Sequence, residues 1–250
     1  MKDAVCRVCL PMAIIAILCS TAAAAQANTR KLTEDERLRT DWADLRRYAD
    51  DNARLGAPAP GEQRVVFMGN SITELWQTLD SSFFVGRPWV NRGISGQTTP
   101  QMLVRFRQDV IDLHPSVVVI LGGVNDIAEN TGPTTLDAIF ENIVSMAELA
   151  RANGITVVLS SVLPASDFRW RHGLDPAPKI VALNAMLQAY AADHHLVYVD
   201  YHAAMDDGHG GLKAELTEDG VHPNLAGYRV MEPIAATAIA AALGTVGDGH

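Results

Sequence analysis

Five short apolar runs recur along the chain, and most are followed by a longer segment with apolar residues at helical spacing. Consecutive Val, Ile and Leu positions are typical of strands that are buried on both faces of a sheet. The runs predict strands at 64–69, 88–92, 116–122, 155–161 and 196–200. The segments around them predict helices at 73–79, 100–112, 134–153, 177–194 and 224–243. This alternation favours one α/β domain with a parallel five-stranded sheet covered by helices on both faces.

The first 61 residues follow other patterns. Residues 1–27 place Lys2 and Arg7 before an apolar run and end in small residues, which is typical of a secretory signal peptide. The run is short for a membrane helix, which needs roughly 20 apolar residues, so we expect no stable membrane insertion. Residues 28–61 predict an amphipathic helix over 33–55 and a Gly- and Pro-containing linker, with the main domain at 62–245. We therefore expect an exported protein, either periplasmic or secreted.

Composition narrows the function classes. The net charge of −9 disfavours nucleic acid and anionic lipid as partners. All three cysteines, the last of them Cys19, lie in the predicted leader, so the rest of the chain has no disulfide or cysteine metal site. Lipid attachment at Cys19 is disfavoured because bulky Leu18 precedes it. No histidine pair has the helical His-x3-His spacing of a zinc site, and we expect neither a metal nor a cofactor.

A candidate nucleophile follows the first predicted strand. Gly69 permits a sharp turn, and Ser71 then lies where a helix begins, among backbone N–H groups that have no helical partner. The alternative is that Ser71 only caps this helix. A serine hydroxyl needs a base to take its proton and an acid to orient that base. His222 can supply the base, and Asp219, three residues before it, can supply the acid, although an exposed loop with an incidental histidine remains the alternative.

Two further loops offer hydrogen-bond donors. Asn125 follows the third strand, at the carboxyl edge where open α/β sheets bind ligands, and its amide can donate to an oxyanion. Gly96, in the loop after the second strand, can offer a backbone N–H group, or it serves only as a turn. Asp126 is predicted to cap the turn after Asn125. Together these residues point to acyl-transfer chemistry.

Four blocks of the chain together resemble the SGNH (GDSL-type) hydrolase family. The blocks are Gly69-Asn70-Ser71-Ile72, Gly96 within Ile94-Ser95-Gly96-Gln97-Thr98-Thr99, Gly123-Val124-Asn125-Asp126 and Asp219-Gly220-Val221-His222-Pro223. The resemblance implies a three-layer α/β/α flavodoxin-like fold. It also implies roles for the matching residues: Ser71 as nucleophile, Asp219 and His222 as its partners, and the Ser71 N–H, the Gly96 N–H and the Asn125 side chain as the oxyanion hole.

One position departs from the family's first block, which usually carries Asp where this chain has Asn70. Asn keeps a similar shape and one acceptor oxygen but loses the charge, so the hydrogen bonding around Ser71 is expected to differ. The nucleophile itself is unchanged.

The loop after the fourth strand is the candidate substrate wall. Phe168 and Trp170 offer flat faces for a sugar ring or an acyl chain, and Arg169 can bind a carboxylate or hydroxyl groups. Packing against a neighbouring loop is the equally favoured alternative. We expect an exported serine esterase for short-chain O-acyl esters, with acetyl groups on carbohydrates suggested by the resemblance. The alternatives are a lysophospholipase or thioesterase-type acyl hydrolase and a noncatalytic carbohydrate-binding protein on the same fold.

Overall fold

The computed structural model describes residues 33, 36 and 39–247, so the predicted signal peptide lies outside the described residues. From Trp42 onward the chain forms one compact unit. Its five strands pair in parallel in the order β2-β1-β3-β4-β5. The strands are β1 (Val65–Gly69), β2 (Trp89–Gly93), β3 (Val117–Leu121), β4 (Thr156–Ser160) and β5 (Val197–Val199). Each predicted strand is confirmed, to within one residue at either end.

The helices form layers on both sides of this sheet. They are α1 (Ala49–Leu55), α2 (Ser71–Leu79), α3 (Thr99–Asp109), α4 (Val124–Ile127), α5 (Leu136–Ala152), α6 (Pro176–Asp193), α7 (Tyr201–Met205) and α8 (Leu225–Gly247). Helices α3, α5 and α6 pack against one another, whereas α2 packs with α8. The three-layer α/β/α fold is therefore confirmed. Among the residues described, no helix is both long and apolar enough to cross a membrane.

The predicted helix over 33–55 is wrong for much of its length. Residues 42–48 form turns, with Asp44 at φ 54°, and they separate the helical residues 39–40 from α1. The reason is tertiary, because side chains of Gln101, Gln97 and Gln108 donate hydrogen bonds to the backbone carbonyls of residues 42, 43 and 45. These bonds outweigh the amphipathic pattern. We call residues 42–55 the N-terminal strap.

Two glycines allow α2 to begin directly against the sheet. A Cβ atom on Gly69 would lie 2.0 Å from Thr73 Oγ1, and one on Gly93 would lie 2.2 Å from the backbone nitrogen of Glu74. Both distances are far shorter than any real contact of a Cβ atom. Glycine at the ends of β1 and β2 therefore fixes the first turn of α2 at the carboxyl edge of the sheet.

Asp126 ties the loop after β3 to the beginning of α3. Its buried carboxylate accepts hydrogen bonds from the Thr99 backbone N–H at 2.9 Å and from Thr99 Oγ1 at 2.6 Å. The prediction that Asp126 caps the turn after Asn125 is wrong, because its carboxylate instead binds the N-terminus of a helix distant in sequence. Burial raises the pKa of Asp126 to about 6, against the hydrogen bonds from Thr99, which lower it.

We predict that Asp126→Asn changes the pH dependence of folding stability. The pKa of Asp126 in the folded state lies above its ordinary value of 3.8, so its contribution is full below pH 3.8 and is lost as pH rises through about 6. The unfolding free energy of the wild type, minus that of the variant, should fall by ~2–3 kcal/mol between pH 4 and pH 7. Urea unfolding at several pH values measures this difference, and a flat difference would contradict the assignment.

Candidate active site

The structure brings Ser71, His222 and Asp219 into one hydrogen-bonded chain. Ser71 Oγ lies 2.9 Å from His222 Nε2, and His222 Nδ1 lies 2.6 Å from Asp219 Oδ2. Ser71 is the first residue of α2. Asp219 and His222 lie in the loop before α8, and His222 is 151 positions further along the chain than Ser71. The alternatives of a simple helix cap and an incidental histidine do not account for this alignment. A relay from hydroxyl to imidazole to carboxylate can activate the serine oxygen as a nucleophile.

The loop before α8 holds the carboxylate in place. Asp219 Oδ1 accepts hydrogen bonds from the backbone N–H groups of Val221 and His222, at 2.9 and 2.8 Å. Thr217 Oγ1 accepts from the Gly220 N–H and donates to the His222 carbonyl at 2.8 Å. One oxygen of Asp219 is thus bound to the backbone, and the other is left to orient the imidazole ring.

The charge of Asp219 follows from the same contacts. Partial burial alone would raise the pKa of this carboxyl, but the hydrogen bonds from the backbone and ring of His222 and from the Val221 N–H outweigh it. The pKa of Asp219 therefore lies below its ordinary value. The carboxylate stays ionised at neutral pH and can stabilise a positive charge on the adjacent imidazole.

Strand register brings the loops of the predicted oxyanion donors to the same edge of the sheet. Gly69 at the end of β1 is aligned with Gly93 on β2 and with Leu121 on β3. The loops that carry Ser71, Gly96 and Asn125 therefore leave the sheet at one level of its carboxyl edge. Asn125 is buried, and its Nδ2 donates one hydrogen to the Gln97 carbonyl at 2.9 Å, which leaves the second hydrogen of the amide for a ligand.

Asn70 caps the helix that carries the nucleophile. Its Oδ1 accepts from the Ile72 N–H at 3.2 Å, a bond that the family's usual Asp can also accept. The Nδ2 atom of Asn70 is buried and has no protein partner among the described residues. At α8, Tyr228 OH donates to the Ile72 carbonyl at 2.8 Å and so holds the same turn from the other side.

Trp170 borders the catalytic histidine candidate. The Trp170 side chain is 48% exposed, and the centre of its ring system lies 6.2 Å from that of His222. Asn130, which the sequence reasoning missed, accepts from Trp170 Nε1 at 3.2 Å and donates to the Gly96 carbonyl at 3.3 Å. Nothing in the local pattern marks Asn130. It joins the aromatic wall to the loop that carries Gly96.

The prediction that Phe168 presents a face to substrate is wrong. Phe168 is 0% exposed and belongs to the hydrophobic core, where it stacks beneath Trp170 at 5.2 Å between ring centres. Burial of the large apolar ring outweighs any contact at the surface. Arg169 is exposed on the same loop, and Arg171 donates to the Glu129 carbonyl at 2.7 Å. Phe168 therefore supports the wall from below.

Sequence reasoning also missed Arg105. This fully buried guanidinium pairs with Asp109 at 3.0 Å, and it donates to the Gly69 carbonyl at 2.8 Å and to Gln97 Oε1 at 2.6 Å. A sequence signal existed, because Arg105 and Asp109 share the face of α3 that carries buried Met102. No three His, Cys, Asp or Glu side chains in the described part of the chain are placed to hold a metal ion.

The chain is similar in sequence to two bacterial proteins. Esterase TesA of Pseudomonas aeruginosa is 31% identical over 146 residues, which are 58% of this chain and 66% of TesA. Lipoprotein YqeF of Bacillus subtilis is 34% identical over 88 residues, or 34% of this chain and 36% of YqeF. The chain thus matches just under two thirds of the first of these relatives and about a third of the second.

Solved structures extend the similarity over most of the chain. The crystal structure of a GDSL-like lipase from Bacteroides thetaiotaomicron is 49% identical, with a TM-score of 0.79, and covers 81% of this chain and 100% of the lipase. Axe2, an acetylxylan esterase from Geobacillus stearothermophilus, shares the fold alone, at 21% identity and a TM-score of 0.57, over 71% of this chain and 94% of Axe2. Residues 67–230 match the model of the GDSL-like lipase/acylhydrolase family, and the chain belongs to that family.

Proposed function

We propose that the protein is an exported serine esterase that hydrolyses short-chain O-acyl esters through an acyl-enzyme. The observation that carries the proposal is the continuous hydrogen-bonded chain from Ser71 Oγ through His222 to Asp219. Ser71, at one end of these hydrogen bonds, lies at the carboxyl edge of the sheet, and the loops of the candidate oxyanion donors leave the sheet at the same edge. Export rests on the charged and apolar pattern of residues 1–27.

In the first half-reaction, His222 Nε2 takes the proton of Ser71 Oγ as this oxygen attacks the ester carbonyl carbon. Asp219 stabilises the imidazolium that results. When the tetrahedral intermediate collapses, the bond to the alcohol oxygen breaks and the imidazolium gives its proton to that oxygen. The products of this step are a free alcohol and an acyl group on Ser71 Oγ.

In the second half-reaction, His222 takes a proton from a water molecule that attacks the acyl carbon. Collapse of the second intermediate returns that proton to Ser71 Oγ and releases the carboxylic acid. In both steps the negative charge on the carbonyl oxygen is stabilised by the N–H groups of Ser71 and Gly96 and by Asn125 Nδ2. Donors that are already in place when the charge develops lower the barrier without reorganisation.

A small acyl group on a hydroxyl-bearing alcohol, such as acetyl on a carbohydrate, is the substrate class that we propose. Trp170 presents a half-exposed flat face beside His222, and the polar groups of Asn130 and Gly96 adjoin it. A sugar ring can stack on such a face while its hydroxyls meet polar atoms. Arg169, exposed on the same loop, is a further candidate for contact with hydroxyl groups.

We predict that Ser71→Ala lowers kcat/KM for p-nitrophenyl acetate by at least ~10⁴-fold, because the nucleophile of the acyl-enzyme is lost. Ser145→Ala is the matched control, since Ser145 lies on α5 and is only partly buried. It should keep the wild-type rate. Equal turnover by wild type and Ser71→Ala would refute the esterase proposal and favour a binding protein on this fold.

For Asn125→Ala we predict a fall of ~10²–10³-fold in kcat with little change in KM, because the lost donor acts on charge that develops in the transition state. Asn153→Ala removes an amide that donates to the Leu149 carbonyl at the end of α5, and it should leave kcat unchanged. Steady-state kinetics on p-nitrophenyl acetate tests both variants. A change confined to KM would exclude Asn125 from the oxyanion hole.

For Trp170→Ala we predict a rise in KM for an acetylated xylo-oligosaccharide of ~5–10-fold, from loss of about 1 kcal/mol of stacking. Its KM for p-nitrophenyl acetate should change less, because that ester has no sugar ring. Trp170→Phe retains a flat face and should recover most of the affinity for the oligosaccharide. Faster wild-type turnover of p-nitrophenyl octanoate than of the acetate would instead indicate a long-chain acyl hydrolase.

A further inference from the structure

Two buried glutamines join the N-terminal strap to the loop that follows β2. Gln97 Nε2 donates to the Ala43 carbonyl at 2.7 Å, and Gln101 Nε2 donates to the Trp42 carbonyl at 2.8 Å. At the other end of each amide, Gln97 Oε1 accepts from Arg105 Nε at 2.6 Å and Gln101 Oε1 accepts from the Thr98 N–H at 3.0 Å. Gln97 therefore connects the strap to Arg105 on α3, and Gln101 connects the strap to the loop at Thr98.

The chemistry of the partners fixes which end of each amide faces which way. A guanidinium and a backbone N–H group can only donate, so the amide oxygens must face Arg105 and Thr98. The NH2 groups must then face the strap carbonyls, which can only accept. Glutamic acid in its ionised form cannot replace either glutamine, because it has no hydrogen to donate.

This connection continues to an oxyanion donor. The Gln97 carbonyl accepts the hydrogen bond from Asn125 Nδ2, and the N–H of the same peptide group, that of Thr98, is bound by Gln101. The peptide between residues 97 and 98 is therefore held on both sides. Its carbonyl sets the direction of the Asn125 amide, and with it the direction of the second amide hydrogen.

A second set of contacts connects the strap to Gly96, the other loop residue proposed as an oxyanion donor. Arg47 of the strap pairs with Glu74 Oε1 at 3.0 Å, and Glu74 Oε2 accepts from the N–H and hydroxyl of Ser95 at 2.8 and 2.6 Å. Ser95 directly precedes Gly96. Tyr48, also on the strap, donates to the carbonyl of Gly93 at the end of β2. The strap is thus connected to Asn125 through Gln97, and to the Gly96 residue through Glu74 and Ser95.

We propose that the N-terminal strap is a positioning element for the oxyanion hole, and that Gln97 is the residue through which it orients Asn125. This inference rests on the proposed esterase function. The segment that matches the family begins at residue 67, after the strap ends. A misdirected Asn125 amide would weaken stabilisation of the oxyanion and leave ground-state binding unchanged, so the effect belongs in kcat.

The test is Gln97→Glu in the full chain. Glutamate has the same length and keeps an acceptor for Arg105, but it loses the donor to the Ala43 carbonyl. We expect kcat for p-nitrophenyl acetate to fall ~10-fold with KM within about twofold of wild type, less than the loss expected for removing Asn125 itself. Because Gln97 acts through Asn125, adding Gln97→Glu to Asn125→Ala should produce no further loss.

Gln108→Ala is the matched control. Gln108 Nε2 also donates to a strap carbonyl, that of Leu45 at 2.7 Å, and has a long contact of 3.4 Å with Asp109 Oδ1, but it contacts neither Gln97 nor Asn125 directly. It should lower thermal stability and leave kcat unchanged. If Gln108→Ala loses as much kcat as Gln97→Glu, the strap only stabilises the fold in general. If the losses of Gln97→Glu and Asn125→Ala add in the double variant, Gln97 does not act through Asn125.

Two further measurements keep the inference falsifiable. If Gln97→Glu does not fold, Arg47→Met replaces it, because the Arg47 side chain is 44% exposed and its loss frees Glu74 and Ser95. We expect ~3-fold lower kcat at constant KM there, an effect smaller than the loss of a direct donor, and a wild-type kcat would overturn the proposal.

The side-chain amide signal of Asn125 in nitrogen-15 NMR spectra gives a readout that needs no turnover. It should shift in Gln97→Glu and stay in place in Gln108→Ala. When Gln97→Glu does not fold, the backbone amide signal of Gly96 should shift in Arg47→Met, because Arg47 acts on the Gly96 loop through Glu74 and Ser95. An unshifted signal in the variant that is measured overturns the inference. Loss of Ser71-dependent turnover in the wild type would instead overturn the proposed function, so the two failures are distinguishable.

Discussion

The hydrogen bonds and the ion pair of the buried Arg105 guanidinium are the interactions on which the site depends most. It connects the end of β1, at the Gly69 carbonyl, with Gln97 in the loop after β2, and Asp109 balances its charge. Burial lowers the pKa of Arg105, and the neighbouring carboxylate of Asp109 opposes that shift. Removing one partner of such a pair leaves a buried charge uncompensated, at a cost of ~3–5 kcal/mol. The turn that precedes Ser71 and the loop that carries Gln97 are therefore held by the same guanidinium.

Close packing of α2 against the sheet is the second requirement for the site. Glycines at the ends of β1 and β2 let the first turn of α2 approach the sheet, which a Cβ atom at either position would prevent. Register then aligns the loops after β1, β2 and β3 at one edge. The site is assembled from sequence-distant loops because a parallel sheet brings its carboxyl ends together.

The sequence predicted what depends on local pattern and on strand direction. Apolar runs located all five strands, and the edge at which β1 and β3 end placed Ser71 and Asn125 on the same side of the sheet. His222 was selected by its spacing from Asp219, and its distance from Ser71 could not be predicted. What depends on a partner far away in sequence could not be read in the same way. The strap lost its helical pattern to glutamine side chains from α3 and its preceding loop, Asp126 bound a distant helix, and Phe168 was buried beneath Trp170. Each outcome reflects a tertiary contact that no local window contains.

Asn130 has a consequence for how this protein can diverge. Its one amide binds the indole of Trp170 and the carbonyl of Gly96, so the proposed substrate wall and the loop of a proposed oxyanion donor share this support. A substitution of Asn130 that reshapes the wall also removes the hydrogen bond to the Gly96 carbonyl. Under the proposed function, substrate range and turnover are therefore linked through this residue. Selection for a new substrate must change both together, or first replace Asn130 with another support for the Gly96 loop.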